Sequence, residues 1–237
     1  MPKRKGHPTG RSKAPAPTSD TIFFYLPKEI PYGIFCQWHP SRITLPLAAL
    51  SFIVVSSKAT PSPSTVLAQH PPSITFTCAE QLYMFAKALY FGDEQACNRI
   101  LATDDPKKQK KLGQTVKGFE EHEWGKMKFR VAVVGNWHKY YQNEKMGEVL
   151  LETGERELAE ASRKDKVWGI GFNAKEADVH RDEWGKSLLG RALMRVRGRL
   201  REWRRRGKEG EKVVWDWDGG DEEEELEGEE GEEKQED

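Results

Sequence analysis

Glu80 and Lys87 are the pair of side chains from which chemistry is most readily built. They stand seven residues apart in Cys78-Ala79-Glu80-Gln81-Leu82-Tyr83-Met84-Phe85-Ala86-Lys87, about two helical turns, which brings them to nearly the same face. A carboxylate and an amine along one groove suit acid–base work. The plainer alternative is a solvated pair, too far apart for an i, i+4 bridge. Glu80 also falls where a strand over Ser73 to Thr77 passes into a helix, a place where the helix N-terminus favours negative charge and ligands commonly enter.

Two further segments are candidates for holding a ligand. In Val167-Trp168-Gly169-Ile170-Gly171-Phe172-Asn173, Gly169 and Gly171 permit close backbone approach, and the N–H groups of such a turn can receive phosphate. The third glycine and the strand-to-helix setting of a dinucleotide fingerprint are missing, which excludes a plain Rossmann reading. Lys186 and Ser187 open the last helix, where free N–H groups make an anion site, with a solvated helix start the even alternative. The chain has eight Trp, and Trp38, Trp124, Trp168 and Trp184 lie beside these motifs; an indole face stacks on a planar base, though a Trp more often belongs to the core. His39, His122, His138 and His180 show no metal-ligand spacing, so no metal is expected.

The elements that must position these groups alternate irregularly. Thr21 to Leu26 and Ser73 to Thr77 read as strands, and Glu157 to Ser162 and Val167 to Trp168 as short ones. Phe35 and Trp38 flank Gln37, a polar residue oddly set in an aromatic segment. Helices are expected over 79–91 with Gly92 as the stop, over 93–101, over 106–112 with Asp105 as N-cap and Pro106 in the first turn, over 120–141, in a short piece ending at Gly147 to Leu151, and over Trp184 to Trp203. Residues 44 to 72 hold an apolar run followed by a Pro- and Ser-rich flank, and read as an insertion or loop of uncertain order. Strands separated by several helices, without repeats, give an α+β class: one mostly helical domain with a small sheet over residues 21–205.

Composition bounds the rest. Residues 1–20 are basic and proline-bearing and residues 206–237 end in an acidic run, so both are expected as disordered tails. The formal net charge is +0, so the acidic end hides a basic body, which suits nucleic acid, an acidic membrane surface or a phosphate-bearing small molecule. The three cysteines, Cys36, Cys78 and Cys97, form no Cys-x-x-Cys pair and no disulfide framework is expected. No apolar run approaches the roughly 20 residues that span a bilayer. A cytoplasmic protein is expected, with Pro2-Lys3-Arg4-Lys5 as a weak nuclear address.

Taken in order, Phe23-Phe24-Tyr25, Phe35-Cys36-Gln37-Trp38, Thr75-Phe76-Thr77-Cys78-Ala79-Glu80-Gln81 with Lys87, the helix of Trp124, Trp168-Gly169-Ile170-Gly171 and Gly185-Lys186-Ser187-Leu188-Leu189-Gly190 resemble the NADAR family, which includes the YbiA-like N-glycosidases. The resemblance implies hydrolysis of a ribosyl C–N bond, in phosphorylated ribosylamino-pyrimidine intermediates of riboflavin synthesis or in ADP-ribosylated bases. It carries catalytic roles to Glu80 and Lys87 and substrate contacts to Phe35, Gln37, Trp38, Trp124, Trp168, Gly169, Gly171, Lys186 and Ser187, with no cofactor. Three departures stand out: residues 44 to 72 intervene before the Glu-bearing strand, Gln81 stands where bacterial members often have His, and Ile170 stands where they have Asp.

The partner implied is a phosphorylated, nucleoside-like small molecule or an ADP-ribosylated base; a nucleic acid enters only as the ADP-ribosylated substrate. Lys87 is left with three roles: proton donor, phosphate ligand or Schiff-base nucleophile. A non-catalytic ADP-ribose or NAD-binding module is the alternative reading, and a basic nucleic-acid adaptor ranks behind it.

Overall fold

The computed structural model describes residues 20–206, and the two tails lie outside them apart from Asp20 and Arg206. At its centre is α3 (Ala79–Tyr90), a helix in which every residue except Lys87 is buried. A helix apolar around its whole circumference needs neighbours on all sides. They are supplied by α4 (Glu94–Leu101), α5 (Pro106–Gln114) and α6 (Glu121–Gln142), all packed directly against it. Beyond α6 lie α7 (Glu144–Glu152) and α8 (Leu188–Arg205), which closes the body with its Leu188, Leu189, Leu193, Val196 and Leu200 face buried.

The domain is mostly helical with little sheet, as the sequence implies, and its strands form two separate pairs. β1 (Thr21–Phe24) runs parallel to β4 (Glu157–Glu160), with Phe24 opposite Glu160, so chain segments far apart in sequence meet at one edge. β2 (Ile43–Pro46) runs antiparallel to β3 (Ser73–Phe76), which leads straight into α3. Side-chain caps set the helix starts as the sequence implies: Asp93 accepts from the Ala96 N–H at 3.0 Å and Asp105 from the Lys107 N–H at 2.9 Å. No helix among the described residues is long and apolar enough to cross a membrane.

Residues 44 to 72 are folded. They contain most of β2, the short helices α1 (Ser51–Ser56) and α2 (Pro63–Leu67), and Leu45, Leu50, Ile53 and Val66 packed at 0–1% exposure into the main core. Their contact with the end of α3 is close. A Cβ on Gly92, which has φ +68°, would meet the Pro61 carbonyl oxygen at 2.5 Å, so the α3 stop needs glycine for space as well as for conformation.

Two further expectations need correcting. Val167 and Trp168 are not a strand: the Asp165 Oδ1 accepts both of their N–H groups, at 2.9 and 2.7 Å, so a side-chain-capped turn takes the place of a ladder. The last helix begins at Leu188 and not at Trp184, because Ser187 lies in the left-handed region at φ 48° and the N–H groups of Gly185, Lys186 and Ser187 donate to the carbonyls of Ile170, Lys166 and Gly169.

A buried apolar side chain in the 44–72 segment therefore supports the whole domain. Ile53→Ala should lower unfolding free energy by about 2–5 kcal/mol, read from urea denaturation. A change within about 0.5 kcal/mol would mean that the segment is a surface appendage.

Candidate active site

Glu80 is the second residue of α3, and its position is fixed before its side chain is considered. Its backbone N–H donates to the Gln37 carbonyl at 3.1 Å, which ties the start of α3 to the segment that follows a 3-10 turn at Tyr32–Phe35. The next residue completes the anchorage. Gln81 Oε1 accepts from the Thr77 N–H at 2.8 Å, while its Nε2 donates to the Ile100 and Thr103 carbonyls, each at 3.0 Å. Gln81 is thus a strut between β3, α3 and the end of α4.

The Glu80 carboxyl is 7% exposed and its Oε1 has no hydrogen-bond partner. Burying an ionised carboxylate with few partners is costly, so burial raises the pH at which the group loses its proton. Burial pushes the Glu80 pKa up to about 7, offset in part by the Lys110 ammonium and by hydrogen bonding from the Trp38 side chain. A carboxyl poised near neutrality at the bottom of a depression can change charge during a reaction.

That depression is a cleft of about 270 Å³. Glu80, Tyr83 and Met84 of α3 line it, together with Gln37 and Trp38 from the first segment, Glu160 at the end of β4, Ser162, Asp165 and Trp168 from the segment that follows, and Lys110 of α5; Tyr25, Leu26 and Pro27 line it as well. Among these, Glu80, Gln37, Trp38 and Trp168 were recognisable in the sequence. A second, wider hollow shares Pro27 and Trp38 with the first and adds Lys28, Asp104, Asp105 and Lys107.

The remaining expected site residues are placed elsewhere. The Lys87 ammonium sits 3.6 Å from the centre of the Phe119 ring and lies outside the cleft lining; burial lowers its pKa, with Glu121 opposing. Two turns along a helix share a face but are about 10 Å apart. Phe35 is fully buried, packed on Phe24, Tyr32 and Tyr140. Trp124 is 4% exposed and acts from behind: its indole N–H donates to the Tyr83 hydroxyl at 2.9 Å, and the Tyr83 ring meets Trp168 edge-on at 5.2 Å. Trp124 therefore holds the aromatic wall without forming it.

The two proposed anion sites are already filled by the protein's own backbone. The N–H groups of Ile170 and Gly171 donate to the carbonyls of Glu160 and Asp165. Those of Lys186, Ser187, Leu188 and Leu189 donate to the carbonyls of Lys166, Gly169, Val167 and Trp168, so α8 docks its first turn onto the 166–169 segment and these four N–H groups are engaged within the protein. Gly169 and Gly171 serve that docking: a Cβ on Gly169 would meet the Glu160 carbonyl oxygen at 2.8 Å, and Gly171 has φ +81°.

What the sequence reading missed is the support from α6. Lys139 is completely buried, and its ammonium donates to the carbonyls of Ile34 at 2.6 Å and Cys36 at 3.1 Å; the Tyr140 hydroxyl donates to Ile34 as well, at 3.0 Å. Burial lowers the Lys139 pKa to about 8. Asn136 Nδ2 reaches Gln37 Oε1 at 3.4 Å, which accounts for the polar residue among aromatics. The spacing of Asn136, Lys139 and Tyr140 is helical, but nothing local indicates that their partners lie between Ile34 and Gln37, about a hundred residues away.

Residues 23–201 match the NADAR domain. Over 124 residues the chain is 41% identical to an N-glycosidase of Acanthamoeba polyphaga mimivirus, covering 52% of this chain and 73% of the relative. It is 32% identical over 135 residues to a riboflavin biosynthesis protein of Vibrio vulnificus, covering 56% of this chain and 34% of that longer protein. The fold is similar to the NMR structure of the E. coli protein YbiA, with a TM-score of 0.53, 20% identity, and 82% of this chain and 92% of that one covered.

The raised Glu80 pKa has a consequence for stability. Its folded value lies above the ordinary value of 4.5, so between about pH 4.5 and 7 the folded state binds the proton more tightly than the unfolded state. Stability contributed by the protonated group is then lost as pH rises through that window. Glu80→Gln should be more stable than wild type at pH 8, by on the order of 1–3 kcal/mol, with the difference shrinking towards pH 4.5. Urea midpoints at the two pH values measure it; a difference independent of pH would show that the carboxyl is not strained by burial.

Proposed function

The chain belongs to the NADAR family, and on that premise we propose that it hydrolyses a ribosyl C–N bond in the cleft built around Glu80. Hydrolysis of N-glycosyl compounds is the activity named for its mimivirus relative. The observation that carries the reading is a buried carboxyl oxygen without a partner at the bottom of a cleft lined by two tryptophans.

Leaving of the base nitrogen builds positive charge on the anomeric carbon and its ring oxygen. An ionised Glu80 beside that carbon stabilises the charge in surroundings that exclude most water, where such a contact is worth far more than in solution. Water then adds to the same carbon. Trp38 and Trp168 offer aromatic faces for a planar base. Lys110 at the cleft, with Lys28 and Lys107 in the adjoining hollow, supplies positive charge for phosphate.

The substrate is accordingly a phosphorylated nucleoside-like molecule. Two classes are candidates: a ribosylamino-pyrimidine phosphate of riboflavin synthesis, the process named for the Vibrio vulnificus relative, and a base carrying ADP-ribose. The wider hollow leaves room for a substrate that extends beyond one ribose phosphate.

Incubation of the protein with each class, and mass detection of the freed base, tests the reading. Wild type should release base from at least one. Glu80→Gln should reduce the rate by about 10²- to 10⁴-fold, Lys110→Met should raise KM more than it lowers kcat, and Lys87→Met should stay within a few-fold of wild type, since its ammonium lies outside the cleft. Binding of both classes without release of base would make the pocket a reader of ADP-ribose or NAD and not a hydrolase.

A further inference from the structure

Glu160 is the second carboxyl of the cleft. It ends β4, opposite Phe24 of β1, and its backbone is locked in place: its carbonyl accepts the Ile170 N–H at 3.0 Å and the Ser162 N–H at 2.9 Å, with Gly169 packed against the same oxygen. The side chain is delivered into the cleft that Glu80 lines. Among the described residues the Glu160 carboxyl has no hydrogen bond or ion pair, whereas Asp165 Oδ1 is committed to the Val167 and Trp168 N–H groups.

The charged groups that line the cleft are three acids, Glu80, Glu160 and Asp165, and one base, Lys110. Like charges sharing a confined site cannot all ionise near neutral pH, so the site retains a proton. We propose that Glu160 holds it and acts as general acid to the departing base, while Glu80 remains the anion that faces the sugar. This assignment rests on the N-glycosidase reading above and divides its chemistry between two residues.

The division follows from what faces each group. Glu80 has Lys110 and the Trp38 side chain to favour its ionised form. Glu160 is pushed up to about 7 by burial and then by the negative charge of Asp165, with Glu80 adding to the effect and Lys110 opposing it. Cys36 also borders it, and its thiol stays protonated, raised by burial to about 11.

The steps balance. The C1′–N bond breaks with its electron pair passing to nitrogen, and the Glu160 carboxyl proton is transferred to that nitrogen. Water then donates its oxygen to C1′ and its proton to the Glu160 carboxylate, which restores the acid. Neither an oxidant nor a second substrate is required.

The experiment compares wild type, Glu160→Gln and Glu80→Gln on two leaving groups, with rates measured from pH 5 to 9. One substrate is a ribosylamino-pyrimidine phosphate or ADP-ribosylated guanosine, whose nitrogen needs a proton to leave; the other is nicotinamide mononucleotide, whose pyridinium leaves as a neutral base. Glu160→Gln should slow the first by about 10²- to 10⁴-fold, abolish the fall in rate above about pH 7, and leave nicotinamide release within a few-fold of wild type. Glu80→Gln should slow both.

Asp165→Asn, which keeps an oxygen for the Val167 and Trp168 N–H groups, should move the alkaline fall to lower pH, and it gives a reading even where Glu160→Gln fails to fold or nicotinamide is not released by wild type. A Glu160→Gln protein with the wild-type rate and pH profile overturns the assignment. So does an equal loss on both leaving groups, which marks a structural role, and so does an unmoved limb in Asp165→Asn. A wild type that releases no base from any of these substrates overturns the underlying reading first and this one with it.

Discussion

The site depends on one constraint: a carboxyl is carried on the first turn of a helix that is buried on every side. Because α3 is the centre of the core, Glu80 cannot swing its side chain to solvent, and because its N–H is bonded to Gln37 it cannot shift along the helix axis. The local environment leaves one oxygen without a donor. An unsatisfied buried acceptor is disfavoured by folding alone, and its presence at the base of a concavity marks a position where stability is given up for reactivity. Glu160, arriving from the β1–β4 edge, shares the cleft and the same burial.

Around that carboxyl, support is layered so that the residues lining the cleft are held by residues that do not. α6 does most of this. Lys139 and Tyr140 fix the carbonyls of Ile34 and Cys36, Asn136 meets Gln37, and Trp124 acts on Trp168 through Tyr83. Lys139 is notable as a buried ammonium whose task is geometric: it gives two loop carbonyls the donors that water would otherwise supply. On the other side, α8 caps its own first turn with the carbonyls of residues 166–169, and so sets the segment that bears Trp168.

The strand-to-helix junction made Glu80 legible, and the composition of Phe35-Cys36-Gln37-Trp38 and Trp168-Gly169 made the aromatic walls legible. The same reasoning grouped Lys87, Lys186 and Ser187 with the cleft, whose lining does not include them, for physical reasons. A helical period reports which face a side chain shares but not how far along the axis a cleft extends, so Lys87 had the right face and the wrong level. Free N–H groups at a helix start are a default that tertiary contacts can consume, as residues 166–169 do for α8. Glu160 was hidden because β4 does not alternate; its two central residues, Leu158 and Ala159, are both buried. Residues 44 to 72 read as an insertion or loop because their flank is rich in proline and serine, yet the main core takes in Leu50, Ile53 and Val66.

The central claim is that an ionised carboxylate at position 80 faces the sugar as cationic character develops. Calorimetric binding of a cationic ribose mimic, an iminoribitol 5′-phosphate, to wild type and to Glu80→Gln at pH 8 measures that contact without requiring turnover. The account predicts an affinity about 10²-fold weaker in the Gln variant. Equal affinity of the two proteins for the cation would contradict it.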